Sequence, residues 1–193
     1  MLCVALSIVT LISLNGFSAS VSTSMLNDAK TLHAADIVIH SHSDLSPAVM
    51  NSVKQLEARK EILSTRIWEF YSVVRSQKSK DSLLAKLKMV QPGYPFYGNV
   101  VLKSGREFKR VLTAGNIMVA QSLLDRLNLV VGDSLHIGST TLKIKDVVVQ
   151  EPDQPVNLFF LGPRIFVAAD DLAALDLVKK GSRVEYNLSL IHI

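Results

Sequence analysis

The stretch Ala120–Asp153, AQSLLDRLNLVVGDSLHIGSTTLKIKDVVVQEPD, decides the fold of this chain. Its beginning predicts a short helix, because three leucines fall on one face at helical spacing: Leu123, Leu124 and Leu127. Gly132 then ends the helical pattern, since glycine readily takes the positive φ that a chain reversal needs. A helix followed by a Gly-Asp turn is therefore the first predicted unit.

The second half of the stretch predicts a β-hairpin. Apolar residues alternate with polar ones on both sides of a Gly138-Ser139 turn: Leu135, Ile137, Leu142, Ile144 and Val147. A helix that leads into such a hairpin is typical of a small curled β-structure. We therefore expect an inserted small β-barrel or hairpin over Val131–Asp153.

The remaining sequence predicts many short strands with a few short helices. Runs of β-branched and aromatic residues, or alternation of apolar with polar residues, indicate strands over residues 37–39, 61–75, 83–90, 98–103 and 181–186. Ser46-Pro47 is typical of a helix start, and Asp170–Leu175 of a short helix capped by its own aspartates. Residues 106–113 are polar and indicate a loop or hairpin arm. Since strands and helices do not alternate as βαβ units, the fold class is α+β with a mixed sheet.

The predicted strand over residues 83–90 has two different sides. Lys86 and Lys88 lie on one side, and the other side is apolar: Leu83, Ala85, Leu87 and Met89. An apolar side and a basic side are typical of a sheet that has one face in water. We therefore expect this strand to be half exposed, with both lysines in solvent.

The chain begins with a long apolar segment. Residues 2–27 contain no Asp, Glu, Lys or Arg, and about 20 such residues span a bilayer as a helix. We therefore expect a transmembrane helix and stalk over residues 1–33. The alternative is a cleaved signal peptide with Ser18-Ala19-Ser20 at its cleavage site, but no cation precedes the apolar run. A chain that begins part-way through its first helix explains that absence in either case.

Composition narrows the class of partner. The net charge is +4 and the pI is near 9.2, but no aromatic residues interleave with the cations as a nucleic-acid stacking surface requires. We therefore expect a solvated basic face and no nucleic-acid partner. The single cysteine, Cys3, allows neither a disulfide within the chain nor a thiolate metal site.

Candidate chemistry is sparse. The run His40-Ser41-His42-Ser43-Asp44 resembles the H-x-H-x-D-H motif of metallo-β-lactamase-like hydrolases, but Leu45 stands where the last histidine belongs. A polar turn after a strand is the simpler interpretation. The carboxylates Glu151 and Asp153 flank Pro152 and indicate a strand-end turn. The aromatic residues are expected in the core: Trp68, Phe70, Tyr71, Phe159 and Phe160. We expect no catalytic, cofactor or metal site, since the chain also lacks G-x-S-x-G, P-loop and G-x-G-x-x-G motifs.

A family resemblance covers residues 32–186. It rests on elements in a fixed order: HAADIVI at 33–39, YPFYG at 94–98, L-x-x-G-D…I-G…E-P-D within 127–153, Gly162-Pro163-Arg164 and Gly181–Val184. Together they resemble the extracytoplasmic domain of MacB-like and FtsX-like ABC-transporter permeases, and especially the large ten-helix permeases of bacteria. Ala34 stands where that family usually has glycine.

The resemblance implies a fragment of a larger membrane protein. It places a transmembrane helix at residues 1–33 and a MacB-like periplasmic domain at residues 34–187 of a bacterial inner-membrane permease. It further implies the lipid bilayer and a separate ABC ATPase subunit as partners, with a second permease copy left open. ATP-driven motion would then move a lipid, lipoprotein, peptide or similar substrate, with no cofactor and no enzymatic step in this chain.

Two further expectations concern the ends of the chain. Residues 188–193, LSLIHI, resemble the translation of a sequencing adaptor, and we expect a non-native tail that has no place in the core. The alternative to a permease fragment is a signal-anchored periplasmic binding domain that acts without an ATPase. The two alternatives differ in whether further hydrophobic segments belong to the same protein.

Overall fold

The computed structural model describes residues 12–18, 20–21, 34–79, 81–152, 162–179 and 181–193. Within these residues nine strands form one mixed sheet: β1 Ile37–Ser41, β2 Ile62–Ser76, β3 Ser82–Val90, β4 Val101–Leu102, β5 Asn116–Ala120, β6 Ser134–Ile137, β7 Thr140–Gln150, β8 Arg164–Ala168 and β9 Glu185–His192. The helices are short: α1 Pro47–Ala58, α2 Phe108–Val111, α3 Gln121–Leu127, a 3-10 turn at Ala169–Asp171 and α4 Leu172–Leu175. The predicted α+β class with a mixed sheet is confirmed.

The sheet closes on itself through β6. Its strand order is β1-β9-β2-β3-β8-β5-β7-β4, and β6 pairs with both β2 and β7. Strands β2, β3, β8, β5, β7 and β6 therefore form a closed ring, in which only β3/β8 and β5/β7 are parallel. The predicted hairpin is β6–β7, but it belongs to this ring and is not a separate inserted small barrel. Strand β6 of this hairpin is also hydrogen-bonded to β2. Because β2 and β6 are far apart in the sequence, the local pattern could not predict this pairing.

The deciding stretch folds as its pattern predicts. The three leucines of α3 are buried, and Gly132 has a φ of +103°. The alternating apolar residues of the hairpin lie in the main core, together with alternate residues of the other ring strands: Leu135, Ile137, Leu142, Ile144, Val147, Phe70, Leu87, Ile117 and Ile165. Because every second residue of a strand points to the same side, the ring encloses a continuous apolar interior.

Helix α1 begins as its sequence predicts. The Ser46 hydroxyl accepts a hydrogen bond from the Val49 amide, and Pro47 is the first helical residue. Val53 is the buried residue of this helix, whereas Val49 is 38% exposed. The helix therefore lies on the surface and packs through a narrow stripe against β2.

Several boundaries differ from the prediction. The strand predicted over residues 98–103 is only Val101–Leu102, and the predicted loop at 106–113 contains α2. The segment at 170–175 is helical, but no side chain caps it. Instead, both carboxylate oxygens of Asp171 accept from the Gly115 amide, at 3.0 and 2.9 Å. Distant partners decide these details, and the local sequence does not reveal them.

The last strand also differs from expectation. It spans Glu185–His192, between β1 and β2, whereas the prediction placed a strand at 181–186 and a non-native tail with no place in the core after it. Leu188 is fully buried and Ser189 is 2% exposed. The expectation that residues 188–193 have no place in the fold is therefore wrong; the origin of that hexapeptide stays a prediction.

Most of the predicted transmembrane helix lies outside the described residues. Residues 12–18 and 20–21 are helical, and residues 1–11 and 22–33 are not described. Among the described residues, no helix combines the length and apolar character that a membrane crossing requires. The predicted core positions Phe159 and Phe160 also lie outside the described residues.

The two ends of the folded body meet at one place, which we call the terminal pole and define as residues 34–36, 61–62 and 190–193. The Asp36 amide donates to the Leu190 carbonyl at 3.0 Å, and the His192 amide donates to the Asp36 carboxylate at 3.1 Å. The Ile193 amide donates to the Glu61 carbonyl, also at 3.1 Å. Strand β2 leaves this pole and continues for 15 residues, about 50 Å at ~3.3 Å per residue.

Candidate functional site

The side of β3 that was expected in water is buried. The Lys88 side chain is 1% exposed and that of Lys86 is 16% exposed. Residues from the segment after β3 cover this face, and Tyr94 and Phe108 join a second apolar core there. The expected half-exposed strand is therefore wrong, because the cover comes from parts of the chain that the local alternation cannot indicate.

The two lysines belong to a chain of alternating charges, which we call the charged cluster: Glu185, Lys86, Glu69, Lys88, Glu151 and Arg164. Lys86 Nζ pairs with a carboxylate oxygen of Glu69 and lies 3.9 Å from Glu185 Oε2. Lys88 Nζ lies 3.6 Å from Glu69 Oε1 and 3.8 Å from Glu151 Oε2. Arg164 pairs with the other carboxylate oxygen of Glu151. Each inner member of the cluster thus has a neighbour of opposite charge on both sides.

Strand register builds this arrangement. Glu69 of β2 is paired with Lys88 of β3 and also with Glu185 of β9. On the other side of β3, Lys86 is paired with Arg164 of β8. Glu151 follows the last residue of β7 and reaches the cluster from outside these four strands. Three strand pairings and one strand end therefore position the six side chains.

Aromatic rings line the site of Lys88. Its ammonium group lies 4.6 Å from the centre of the Tyr94 ring and 5.7 Å from that of Phe166, within the range of cation–π attraction. Both rings are 1% exposed. Phe108 packs edge-on against each of them. The lysine is thus held between two carboxylates by an apolar cage.

Electrostatics favours the ionised form of Glu69. Burial raises the pKa of Glu69, but the charges of Lys88 and Lys86 outweigh burial and hold this pKa below its usual range. Glu151 is 6% exposed, and among the described residues its Oε2 accepts no hydrogen bond. The carboxylate is therefore stabilised by the nearby positive charges of Lys88 and Arg164. Such an arrangement is costly to take apart, because each remaining buried charge would lose its partner.

A cleft of about 330 Å³ borders the cluster. Its lining includes Ser122 and Arg126 of α3, together with Glu151 and Arg164. The volume is at the lower end of the range for small-molecule sites. The Glu151–Arg164 pair places both a negative and a positive group at this cleft.

A second buried carboxylate anchors the segment between β4 and α2. Asp146 is 3% exposed and accepts hydrogen bonds from the Ser104 hydroxyl, the Val147 amide and the Arg106 guanidinium. Burial raises the pKa of Asp146, but these hydrogen bonds outweigh it and lower the pKa overall. Asp146 therefore ties β7 to a surface segment.

Acid should weaken the fold through these carboxylates. A group whose folded-state pKa is lowered stabilises the fold above its unfolded-state pKa, and the stabilisation is lost as pH falls through the folded-state pKa. We therefore expect the free energy of unfolding to fall as pH is taken from 7 to below about 4. Asp146→Asn should make this dependence shallower, as urea unfolding at several pH values will measure. An unchanged pH slope in this variant would contradict the role given to Asp146.

The histidine run has structural contacts. His40 Nδ1 lies 2.7 Å from Asn187 Oδ1, which joins β1 to β9, and Asp44 pairs with Arg66 at 2.5 Å. Within the described ranges, His40, His42 and Asp44 do not form a group that could hold a metal ion. Of the predicted core aromatics, Trp68 and Phe70 are buried, but Tyr71 is 43% exposed.

Sequence reasoning missed Glu69, Glu151 and Arg164. One available signal was a single carboxylate, Glu69, within an otherwise apolar part of a predicted strand. Opposite charges on the next predicted strand could have paired with it. Glu151 and Arg164 gave no such signal, because β7 and β8 are separated by β5 in the sheet.

Comparisons with known proteins agree with this architecture. The fold is similar to the extracellular domain of the noncanonic ABC-type transporter YknZ from Gram-positive bacteria, with a TM-score of 0.51, 10% identity and coverage of 79% of this chain and 81% of that one. It is also similar to the periplasmic region of MacB from Actinobacillus actinomycetemcomitans, with a TM-score of 0.51, 11% identity and coverage of 85% and 79%. The fold thus has the architecture of extracytoplasmic domains of ABC-type transporters.

Sequence similarity points to a particular permease. The chain is 35% identical over 103 residues to the uncharacterised ABC transporter permease YbbP of Escherichia coli K12. The aligned part is 53% of this chain and 12% of that permease, so the chain spans a small fraction of its relative. No family model matches the chain. The resemblance to MacB-like ABC-transporter permeases that the sequence motifs indicated is confirmed.

Proposed function

We propose that this chain is the extracytoplasmic part of a bacterial ABC-transporter permease and that it transmits motion of the membrane helices to a substrate outside. The observation that carries the proposal is the antiparallel pairing of the first and last strands of the body. His40 pairs with Asn187 and Ser41 with Tyr186, so the connection that leads into β1 and the one that leaves β9 lie at the same end of the body. A domain held at one end by two membrane helices needs this geometry.

Strand β2 supplies a path for the motion. It starts at the terminal pole, where Ile62 pairs with His192, and its other end pairs with β6 of the closed ring. Interstrand hydrogen bonds along β2 join it to β9 and β3. A displacement of β9 at the pole is thereby passed to the ring without a covalent or catalytic step.

The proposal specifies surroundings and partners. Residues 1–33 form a transmembrane helix and stalk in the inner membrane, and residues 34–187 stand in the periplasm. A separate ATPase subunit drives the helices. The substrate is a lipid, lipoprotein, peptide or similar molecule, and the domain itself performs no reaction. The names of the relatives support this assignment, since YbbP is called an ABC transporter permease, YknZ an ABC-type transporter, and the MacB structure a periplasmic region.

The test uses the complete permease together with the ABC ATPase subunit that co-purifies with it. Residues 37–187 are replaced by a short Gly-Ser linker, which the antiparallel pairing of β1 with β9 allows, since both connections leave the body at the same end. We expect the ATPase to co-purify with both proteins, because the membrane helices are retained. Transport should be lost in the linker variant while ATP hydrolysis continues.

Two outcomes would contradict the proposal. If no ATPase associates with the complete protein, the chain is a membrane-tethered binding domain that acts alone. If the linker variant transports as well as the complete protein, the extracytoplasmic body does not take part in coupling. A permease with the body intact and the ATPase catalytically inactive is the matched control for background transport.

A further inference from the structure

We propose that Lys88 is a positioning residue that couples the end of β7 to the long strand β2. The inference rests on the proposed function only in its consequence for transport. Among the residues that the structure describes, Lys88 is the cation that forms ion pairs with both Glu69 and Glu151. Without it the charged cluster separates into two groups, one on β9, β2 and β3 and the other on Glu151 and Arg164.

The position of the Lys88 ammonium group allows Glu69 and Glu151 to share it. Its distances to the two carboxylates, 3.6 and 3.8 Å, are nearly equal, and both exceed the 2.7–2.9 Å typical of charge-assisted hydrogen bonds. The ammonium group therefore does not belong to one carboxylate alone. The rings of Tyr94 and Phe166 attract it without fixing a direction as a hydrogen bond would.

Coupling follows from the electrostatics of a buried site. Lys88 is 1% exposed, so water screens its two interactions poorly, and a shift toward one carboxylate weakens its attraction to the other. A movement of Glu151 at the end of β7 therefore changes the force on Glu69 in the middle of β2. Strand β2 begins at the terminal pole, and Lys88 thus links the pole to the far side of the ring.

The matched substitutions are Lys88→Met and Lys86→Met. In Lys88→Met, Glu69 keeps Lys86 and Glu151 keeps Arg164, so neither of these two carboxylates is left without a cation, and methionine suits the aromatic cage. In Lys86→Met the same charge is removed from the same strand, but the path Glu69–Lys88–Glu151 stays intact. Lys88→Gln is the second variant if Lys88→Met does not fold.

The first measurement does not depend on transport. Amide hydrogen exchange at residues 148–151 of the full chain is compared with and without Glu69→Gln, in three backgrounds: unsubstituted, Lys88→Met and Lys86→Met. Once the contribution of global unfolding, taken from the unfolding free energy of each variant, has been subtracted, we expect Glu69→Gln to change this exchange at least about threefold in the unsubstituted and Lys86→Met backgrounds and not in Lys88→Met. Equal responses in all three backgrounds, or no response in the unsubstituted chain, would overturn the proposal.

The second measurement asks what the link does in the complete permease. Lys88→Met should lower transport per ATP hydrolysed by about tenfold while Lys86→Met changes it little. If exchange shows the coupling but transport is unaffected, Lys88 does link β7 to β2, and the proposed role of the body in transport is wrong. If exchange shows no coupling, the inference about Lys88 fails whatever the transport result.

Discussion

Glu69→Gln should lower the free energy of unfolding by about 3–5 kcal/mol. Glutamine keeps the size and polarity of the side chain but removes the charge that Lys86 and Lys88 share. The Lys88 side chain is 1% exposed and, of its two described carboxylate partners, would keep Glu151, which Arg164 already neutralises. An excess positive charge would therefore remain buried between the two cores. Urea unfolding of the full chain at neutral pH, followed by Trp68 fluorescence, will measure the effect.

The control for this prediction is Glu61→Gln. Glu61 lies just before β2, its side chain is 49% exposed, and its distance to Arg59 is 4.0 Å. An exposed pair of this kind contributes at most about 1 kcal/mol, so the control should unfold nearly as the unsubstituted chain does. Similar losses in the two variants would mean that burial of the cluster does not determine its energetic importance.

Lowering the pH should reproduce part of the Glu69→Gln effect. Glu69 has a lowered pKa in the folded state, so its stabilising contribution is present at neutral pH and is lost as pH falls through that pKa. The difference between the variant and the unsubstituted chain should therefore shrink in acid. This convergence separates loss of charge from a defect in packing, which pH would not correct.

The sequence predicts the parts of the fold that depend on local periodicity. The leucines of α3 and the alternating residues of β6–β7 are buried as expected, because a 3.6-residue or two-residue repeat reports a buried face directly. The start of α1 at Ser46-Pro47 follows in the same way from local hydrogen bonding and the fixed φ of proline.

The pairing of Glu69 with Lys88 could have been predicted by the same reasoning. Strands β2 and β3 form a hairpin, so a short turn fixes their register from Arg75↔Ser82 down to Glu69↔Lys88. The burial of Lys88 was not within reach, because Tyr94 and Phe108 reach it only after the chain has folded back over β3. Glu151 and Arg164 meet across β5, and no spacing in the sequence encodes that contact.

Local sequence patterns also do not predict that the strands close into a ring. β6 was expected to pair with β7 alone, but it also pairs with β2, through contacts such as Val74↔Ile137. Likewise, residues 188–193 look like an appended hexapeptide in isolation, yet residues 188–190 pair with Ile37–Ile39 on one side and residues 188–192 pair with β2 on the other. Edge partners that are far apart in sequence explain both differences.

Gly138→Ala should be the most damaging substitution by a single methyl group. Gly138 has a φ of +57°, and a Cβ at this position would lie 2.1 Å from the Leu175 carbonyl oxygen. That oxygen already accepts a hydrogen bond from the Ser139 amide at 3.0 Å, so the β6–β7 turn is held against the end of α4. We expect a loss of about 3 kcal/mol or more in the free energy of unfolding, from backbone strain and from displacement of this contact.

Gly105→Ala separates these two contributions. Gly105 also has a positive φ, +72°, but nothing lies within 4 Å of the position its Cβ would occupy. This variant should therefore show only the backbone cost of about 1 kcal/mol. Thermal and urea unfolding of both variants will give the difference, which measures the close approach of the turn to Leu175. Equal losses would mean that the β6–β7 turn can move away from α4 freely, and that this contact does not hold the ring at its closing strand.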